Sequence, residues 1–242
     1  MSELQLLVDP PAPGAENMRR DTELLERCAG GRLPGAVRIY SFDPPCLSLG
    51  SLQPESDVDH AACERDGVDV VRRPSGGRAV LHAHEVTYAV ICRADDPHLG
   101  GRVLESCARI HHAVAMGLQR LGVDTIARAA SRDERAAARE VASLADCFGR
   151  PSAHELMDTR GRKLVGSAQA RRGGALLQHG SVLLERSVAA RYLIGVAEAA
   201  PSSSLSELMG RTPSRDEVVA GLAAGFAAVL GSRLRVPTAA TA

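Results

Sequence analysis

Among 29 basic side chains, Lys163 is the only lysine and the other 28 are arginine. An ammonium is compact and loses its proton more readily when buried, whereas a guanidinium is planar and permanently charged. A single Lys in an Arg background therefore marks a position that a guanidinium would not serve. The plain alternative is a surface lysine present by chance. Lys163 sits in Gly161-Arg162-Lys163-Leu164-Val165-Gly166-Ser167-Ala168-Gln169. A strand there would fix the ammonium on one face, and the small residues Gly166, Ser167 and Ala168 would leave room for a ligand. His179 follows in Leu176-Leu177-Gln178-His179-Gly180-Ser181. Taken alone, it is more often a hydrogen-bonded core histidine than a base.

A second constellation is Arg72-Arg73-Pro74-Ser75-Gly76-Gly77-Arg78-Ala79-Val80-Leu81-His82. Gly76 and Gly77 permit positive φ and close backbone approach, while Arg73 and Arg78 have the chemistry to meet a phosphate or carboxylate. The segment is neither a Walker loop nor a dinucleotide fingerprint, so the glycines by themselves favour an ordinary tight turn. Six cysteines occur, none in a C-x-x-C pair or at zinc-finger spacing to a histidine. Neither a disulfide framework nor a metal site follows. Cys92 and Cys107 lie in apolar patterns and read as small buried hydrophobes. Cys147 does not, and calls for a chemical reading.

Asp plus Glu also total 29, so the formal charge is zero and no global field favours nucleic acid or an anionic membrane. Aromatic content of 2 % with no Trp removes the stacking platforms of single-strand binders. The N-terminus lacks the basic and apolar regions of a secretory signal, and the uncharged run Val218 to Ser232 is too short and Gly/Ala-rich to span a membrane. A cytoplasmic location with no membrane or nucleic-acid partner is expected.

The elements that would hold these residues can be read from periodicity. Asn17 to Cys28 predicts a helix stopped by Gly30-Gly31. Val37 to Phe42 and Cys46 to Leu49 predict two short strands joined by a turn at Asp43-Pro44-Pro45. A short helix over His60 to Arg65 precedes a strand over Val68 to Val71. Arg78 to Cys92 predicts a hairpin or bulged pair of strands around Ala83-His84-Glu85. Apolar residues from Val103 to Leu121 at spacings of three and four predict an amphipathic helix ended by Gly122. Arg132 to Leu144 reads as polar and helical or partly mobile. His154 to Met157, Lys163 to Ala170 and Ala175 to Leu184 read as strands, with a turn at Asp158-Thr159-Arg160-Gly161. Ser214-Arg215-Asp216-Glu217 is a capping-box pattern before a last helix that stops at Gly231. The order predicts one α+β domain over residues 1–242, with a mixed, largely antiparallel sheet flanked by helices, a core at about 15–231 and a flexible tail at 232–242.

Together the two constellations resemble the biotin- and lipoate-protein ligases and octanoyltransferases. That family shares an R-R-x-[ST]-G-G stretch before a strand with His, a G-x-K-x-x-G-[SN]-A-Q stretch and an H-G-[ST] strand. The resemblance runs from Asn17-Met18 with Asp21, through Ser41 to Pro45 and Leu47 to Gly50, to about Leu184. Asp146-Cys147-Phe148, followed by Pro151-Ser152 and Glu155-Leu156, is similar to the branch that carries the acyl group on a cysteine. Arg78 in place of a third Gly, and Glu85-Val86-Thr87-Tyr88 after His82, also look like that branch. Ala83 replaces the acidic residue the ligases carry after the histidine. Phe42 stands where the family often has Trp, a change expected only to alter packing.

What this resemblance implies is an octanoyltransferase with Cys147 as nucleophile and Lys163 as the group that activates the thiol and meets charge on the acyl carbonyl. Arg73, Gly76, Gly77, Arg78, His82, Gly166, Ser167, Ala168 and His179 are the expected substrate-binding residues. The implied partners are octanoyl-acyl carrier protein and the lipoyl domains of 2-oxoacid dehydrogenases or the glycine cleavage H protein. Arg72, Arg162, Arg171 and Arg172 would offer local positive charge to an acidic carrier. No cofactor is expected, and ATP with Mg would enter only if the chain were an ATP-dependent lipoate-protein ligase. Acyl relay between lipoyl-bearing proteins and a non-catalytic lipoyl-domain binding module are the remaining alternatives.

Overall fold

A computed structural model describes residues 3–127, 155–196 and 202–235. Two sheets carry the fold. Strands β1 (Leu4–Val8), β2 (Gly35–Tyr40), β6 (Glu85–Arg93), β7 (Ile126–Ala127), β8 (Leu156–Met157), β9 (Lys163–Arg172), β10 (Ala175–Leu183) and β11 (Leu234–Arg235) form the larger, ordered β11-β1-β2-β6-β10-β9-β8-β7. Strands β3 (Cys46–Leu49), β4 (Asp69–Arg72) and β5 (Val80–His82) form the smaller, ordered β4-β3-β5. In the large sheet β1 runs parallel to both β2 and β11, and every other pairing is antiparallel. This is the mixed, largely antiparallel sheet that the order of elements predicts.

Helices α1 (Gly14–Ala29), α2 (His60–Asp66), α3 (Val103–Gln119), α4 (Leu205–Met209) and α5 (Arg215–Leu230) flank the sheets. Strands β2 and β10 are buried along their whole length because both sheet faces are covered. On one face Ile110, Val114 and Leu118 of α3 and Val218, Leu222 and Phe226 of α5 join Val37, Val90 and Leu176 in the main core. Each such side chain contributes about 1.5–3 kcal/mol on burial. On the opposite face α1 sets Met18, Leu24, Leu25 and Cys28 against Ala36, Tyr40 and Leu177. Asn17 and Asp21 share that buried stripe, so α1 also delivers two polar side chains to the sheet. The Ser214 hydroxyl accepts from the Glu217 backbone N–H and starts α5 as its capping pattern predicts.

Several expectations are corrected. The segments Val37–Phe42 and Cys46–Leu49 do not pair with one another, because β2 belongs to the large sheet and β3 to the small one. The supposed hairpin around Ala83-His84 is instead a crossing between sheets, with β5 on β3 and β6 on β2 and β10. At the ends of the described residues Leu4 and Gln5 pair with Leu234 and Arg235, and Arg233 is buried against Asp96 at 2.6 Å. The segments predicted over Arg132 to Leu144 and at His154 lie outside the described residues, as does Cys147. Among the described residues no helix is long and apolar enough to cross a membrane, and no cluster of three His, Cys, Asp or Glu side chains could hold a metal ion.

Candidate active site

A cavity opens between the two sheets. Met18 and Tyr40 close one side, and Ser48, Arg73, Val80 and His82 another. Gly166, Ser167 and Ala168 of β9, with His179 and Gly180 of β10, form the wall opposite. Register explains that wall, since Ala168 faces His179 and Ser167 faces Gly180 across the β9–β10 ladder. A Cβ on Gly180 would run into Ser167 Oγ and the Tyr88 hydroxyl, so a side chain there would force those groups to shift.

Of the residues expected to bind substrate, Arg73, His82, Gly166, Ser167, Ala168 and His179 line this cavity, whereas Gly76, Gly77 and Arg78 form the turn beside it. Gly77 has φ of +89°, and a Cβ on Gly50 would strike the Gly77 carbonyl, so the turn presses on the end of β3. Arg73 is buried, and its guanidinium holds that turn. Its Nη1 donates to the Ser48 carbonyl at 2.8 Å and Ser48 Oγ at 3.3 Å. Its Nη2 donates to the Gly76 and Arg78 carbonyls at 2.8 and 2.6 Å, and Nε to Ser75 Oγ at 3.2 Å.

Two buried chains of acid, imidazole and hydroxyl meet at Arg73. In one, His179 Nδ1 lies 3.2 Å from Asp21 Oδ2 and Nε2 lies 2.5 Å from Ser75 Oγ. Asp21 also accepts from Arg38 Nη1 and the Tyr40 hydroxyl, both at 2.8 Å. Burial alone would raise the Asp21 carboxyl, but His179 and Arg38 outweigh it and hold it below its ordinary 3.8. Burial, with help from Arg73, pushes the His179 imidazole below its ordinary 6.5 against the pull of Asp21. Neutral His179 then donates from Nδ1 to Asp21 and accepts at Nε2 from Ser75. In the other chain, His82 Nε2 lies 2.8 Å from Ser48 Oγ and Nδ1 lies 3.4 Å from Glu85 Oε1. Thr87 Oγ1 donates to both Glu85 oxygens, at 2.9 and 2.7 Å. Phe42 stacks on the His82 ring with centroids 4.0 Å apart, so this position contacts the cavity histidine as well as filling space.

Lys163 opens β9, three residues before the cavity wall, and lies outside the lining. It is buried, with Nζ 2.6 Å from Glu155 Oε1. Each of the five described cysteines has its thiol held above the ordinary value of 9.0, chiefly by burial; Cys107 is pushed up to about 12. Three of the four arginines expected to offer positive charge are engaged with carboxylates: Arg72 with Glu55, Arg162 with Asp158 and Glu207, and Arg172 with Glu26. Arg171 donates to the Gly101 carbonyl and Ser106 Oγ.

Site reasoning from the sequence missed Asp21, Ser48, Ser75 and Glu85 as partners of the histidines, and Glu155 as the partner of Lys163. The available signal was a polar residue inside an apolar pattern, as with Asp21 on the buried stripe of α1 and Arg38 between Val37 and Ile39.

Residues 13–227 match the family model described as the lipoyl protein ligase A/B catalytic domain, and the chain belongs to this family. The match runs past Leu184, the limit of the resemblance carried by the sequence motifs. An octanoyltransferase LipM of Kyrpidia tusciae is 39% identical over 248 residues, covering 97% of this chain and 89% of that protein. The structure of a lipoate-protein ligase A bound with ATP superposes with a TM-score of 0.74 at 22% identity, covering 98% of this chain and 90% of the other. A structure from an archaeal lipoylation system of Thermoplasma acidophilum, a bipartite lipoate protein ligase and its E2 lipoyl domain, has a TM-score of 0.70 at 21% identity, covering 99% and 89%. At these identities the two structures speak for the fold.

Proposed function

We propose that this protein is an acyltransferase of lipoate biosynthesis, moving an octanoyl group from octanoyl-acyl carrier protein to a lysine of a lipoyl domain through an acyl-cysteine on Cys147. The reading is carried by β9, which buries the chain's only lysine three residues before the small-residue wall of the cavity. The octanoyltransferase relative, alike over nearly the whole chain, supports the same group and reaction.

The chemistry needs a thiolate and an anchored acyl chain. Burial raises the thiol pKa of the five described cysteines, which disfavours each as a thiolate, and the family resemblance gives the nucleophile's role to Cys147. Its sulfur attacks the carrier thioester, the acyl carbon–sulfur bond to the carrier breaks, and the carrier leaves as a thiol. The acyl-cysteine retains thioester energy, so no nucleotide is chemically required. Each methylene of the chain entering an apolar slot favours binding by about 0.8 kcal/mol. Lys163 supplies positive charge to the acyl carbonyl, a contribution on the order of 3 kcal/mol.

ATP-dependent ligation is the second reading, since the ligase structure that shares this fold holds ATP. Arg73 argues against it: its N–H groups are directed at the carbonyls and hydroxyls of its own turn and of Ser48. The family resemblance gives lipoyl domains as acceptors, and the archaeal neighbour was studied with one.

After incubation with octanoyl-acyl carrier protein, the tryptic peptide bearing Cys147 should gain one octanoyl group, and Cys147→Ala should lose both the adduct and the transfer. Undiminished transfer by Cys147→Ala would refute the covalent route. Lys163→Arg keeps the charge but brings a planar group into a slot already filled by Glu155, and transfer should fall by two orders of magnitude or more, ~3 kcal/mol. Wild-type rates in that variant would remove Lys163 from the chemistry.

A further inference from the structure

Amide formation leaves a proton to be placed, and this inference rests on the octanoyl-transfer reading. An acceptor lysine arrives as an ammonium with a pKa of about 10.4. As its nitrogen bonds the acyl carbon and the carbon–sulfur bond breaks, that nitrogen must lose two protons. One restores the cysteine thiol. The other needs a base.

Four titratable side chains line the cavity among the described residues, Tyr40, Arg73, His82 and His179, while Lys163 and Glu155, paired at 2.6 Å outside the lining, serve in the transfer reading as a cation and its counter-ion. Arg73 is a cation, and the Tyr40 hydroxyl already donates to Asp21. His179 is committed at both nitrogens, to Asp21 and to Ser75, and Ser75, buried like Ser48, lies outside the cavity lining. His82 differs in one respect. Its Nε2 partner, Ser48 Oγ, belongs to a residue that itself lines the cavity.

We infer that Ser48, His82 and Glu85 form the proton-accepting relay of the amine-transfer step. The incoming nitrogen passes its proton to Ser48 Oγ while Ser48 passes its own to His82 Nε2. The imidazolium that results faces the Glu85 carboxylate, 3.4 Å from Nδ1, with Ser181 Oγ at 3.3 Å and Thr87 Oγ1 at 3.5 Å beside it. This is the order of groups in a serine–histidine–acid triad, used to take up a proton while the serine forms no covalent bond. Arg73 Nη1, 3.3 Å from Ser48 Oγ, steadies charge on that oxygen during the exchange. The proton then leaves to solvent, and atoms and charge balance.

The test separates the two half-reactions. Enzyme acylated by octanoyl-acyl carrier protein is freed of donor and then chased with either apo lipoyl domain or hydroxylamine, an amine that reaches the thioester unprotonated and needs no base for that extra proton. His82→Asn should slow the lysine chase relative to the hydroxylamine chase by 10²- to 10⁴-fold. Glu85→Gln, which keeps a side chain of the same shape beside Thr87, should shift the same ratio in the same direction and serves if the histidine variant does not fold. An unchanged ratio in a folded variant, with the wild type active, would overturn the relay alone. A wild type that takes no octanoyl group from the carrier would overturn the transfer reading and the relay with it.

Discussion

Asp21–His179–Ser75 and Glu85–His82–Ser48 are made of the same kinds of group, share Arg73 as a donor to both serines, and border one cavity, yet they differ at both ends. Asp21 is gripped by Arg38 and Tyr40, and Arg38 in turn reaches Asp9 at 2.7 Å and Asn17 Oδ1 at 2.7 Å. Glu85 has Thr87 and the histidine. At the hydroxyl end both serines are buried, but Ser48 lines the cavity and Ser75 does not. Three residue types in hydrogen-bond order therefore do not fix a role. The hold on the acid and the outlet of the hydroxyl decide whether such a chain braces a loop or handles a proton.

The comparison breaks most visibly at the acids. Asp21→Ala leaves Arg38 buried with one partner fewer, and unfolding free energy should fall by about 3–5 kcal/mol. Glu85→Gln leaves no stranded cation and should cost far less in a urea titration. Equal losses would mean that the two acids are structural to the same degree. The serines come next. Ser75→Ala leaves a buried imidazole nitrogen without its donor and should cost about 1–3 kcal/mol, whereas Ser48→Ala should reduce the lysine chase more than stability. A reversed pattern would exchange the roles assigned to the two chains.

Acid titration probes the braced chain directly. His179 and Asp21 both have folded-state pKa values below their ordinary 6.5 and 3.8. Their stabilisation is complete above those values and is lost as pH falls through 6.5 for His179, and again below 3.8 for Asp21. Each loss runs at no more than about 1.4 kcal/mol per pH unit within its window. His179→Gln should flatten the first descent in unfolding midpoints measured from pH 7 downward. An unaltered profile would detach that descent from His179. The smallest effect belongs to the stack, where Phe42→Leu should cost about 0.5–1.5 kcal/mol beyond its lost area.

Much of the scaffold was legible because local periodicity decided it. The three-and-four spacing from Val103 and the capping serine at Ser214 anticipate α3 and α5 within a few residues, and β3 matches its expected bounds. Strand partners were not legible, since alternation marks a strand without saying which neighbour it takes. Val37–Phe42 and Cys46–Leu49 are adjacent in sequence yet enter different sheets. Lys163, His82 and His179 were found through motif and rarity. Their acids were not, because Asp21 stands 158 residues from His179 and no local pattern joins them. Glu85 is near His82 in sequence, but as a buried carboxylate at the start of β6 it revealed its partner only once the chain crossed between sheets.

Covalent transfer without nucleotide is tested most directly by the intact mass of the wild-type protein through a donor–acceptor cycle. With octanoyl-acyl carrier protein and no ATP, the enzyme should gain one octanoyl group, then return to its starting mass as an added apo lipoyl domain gains the same group. An enzyme whose mass never changes, with the domain modified only when free octanoate and ATP are supplied, would contradict it.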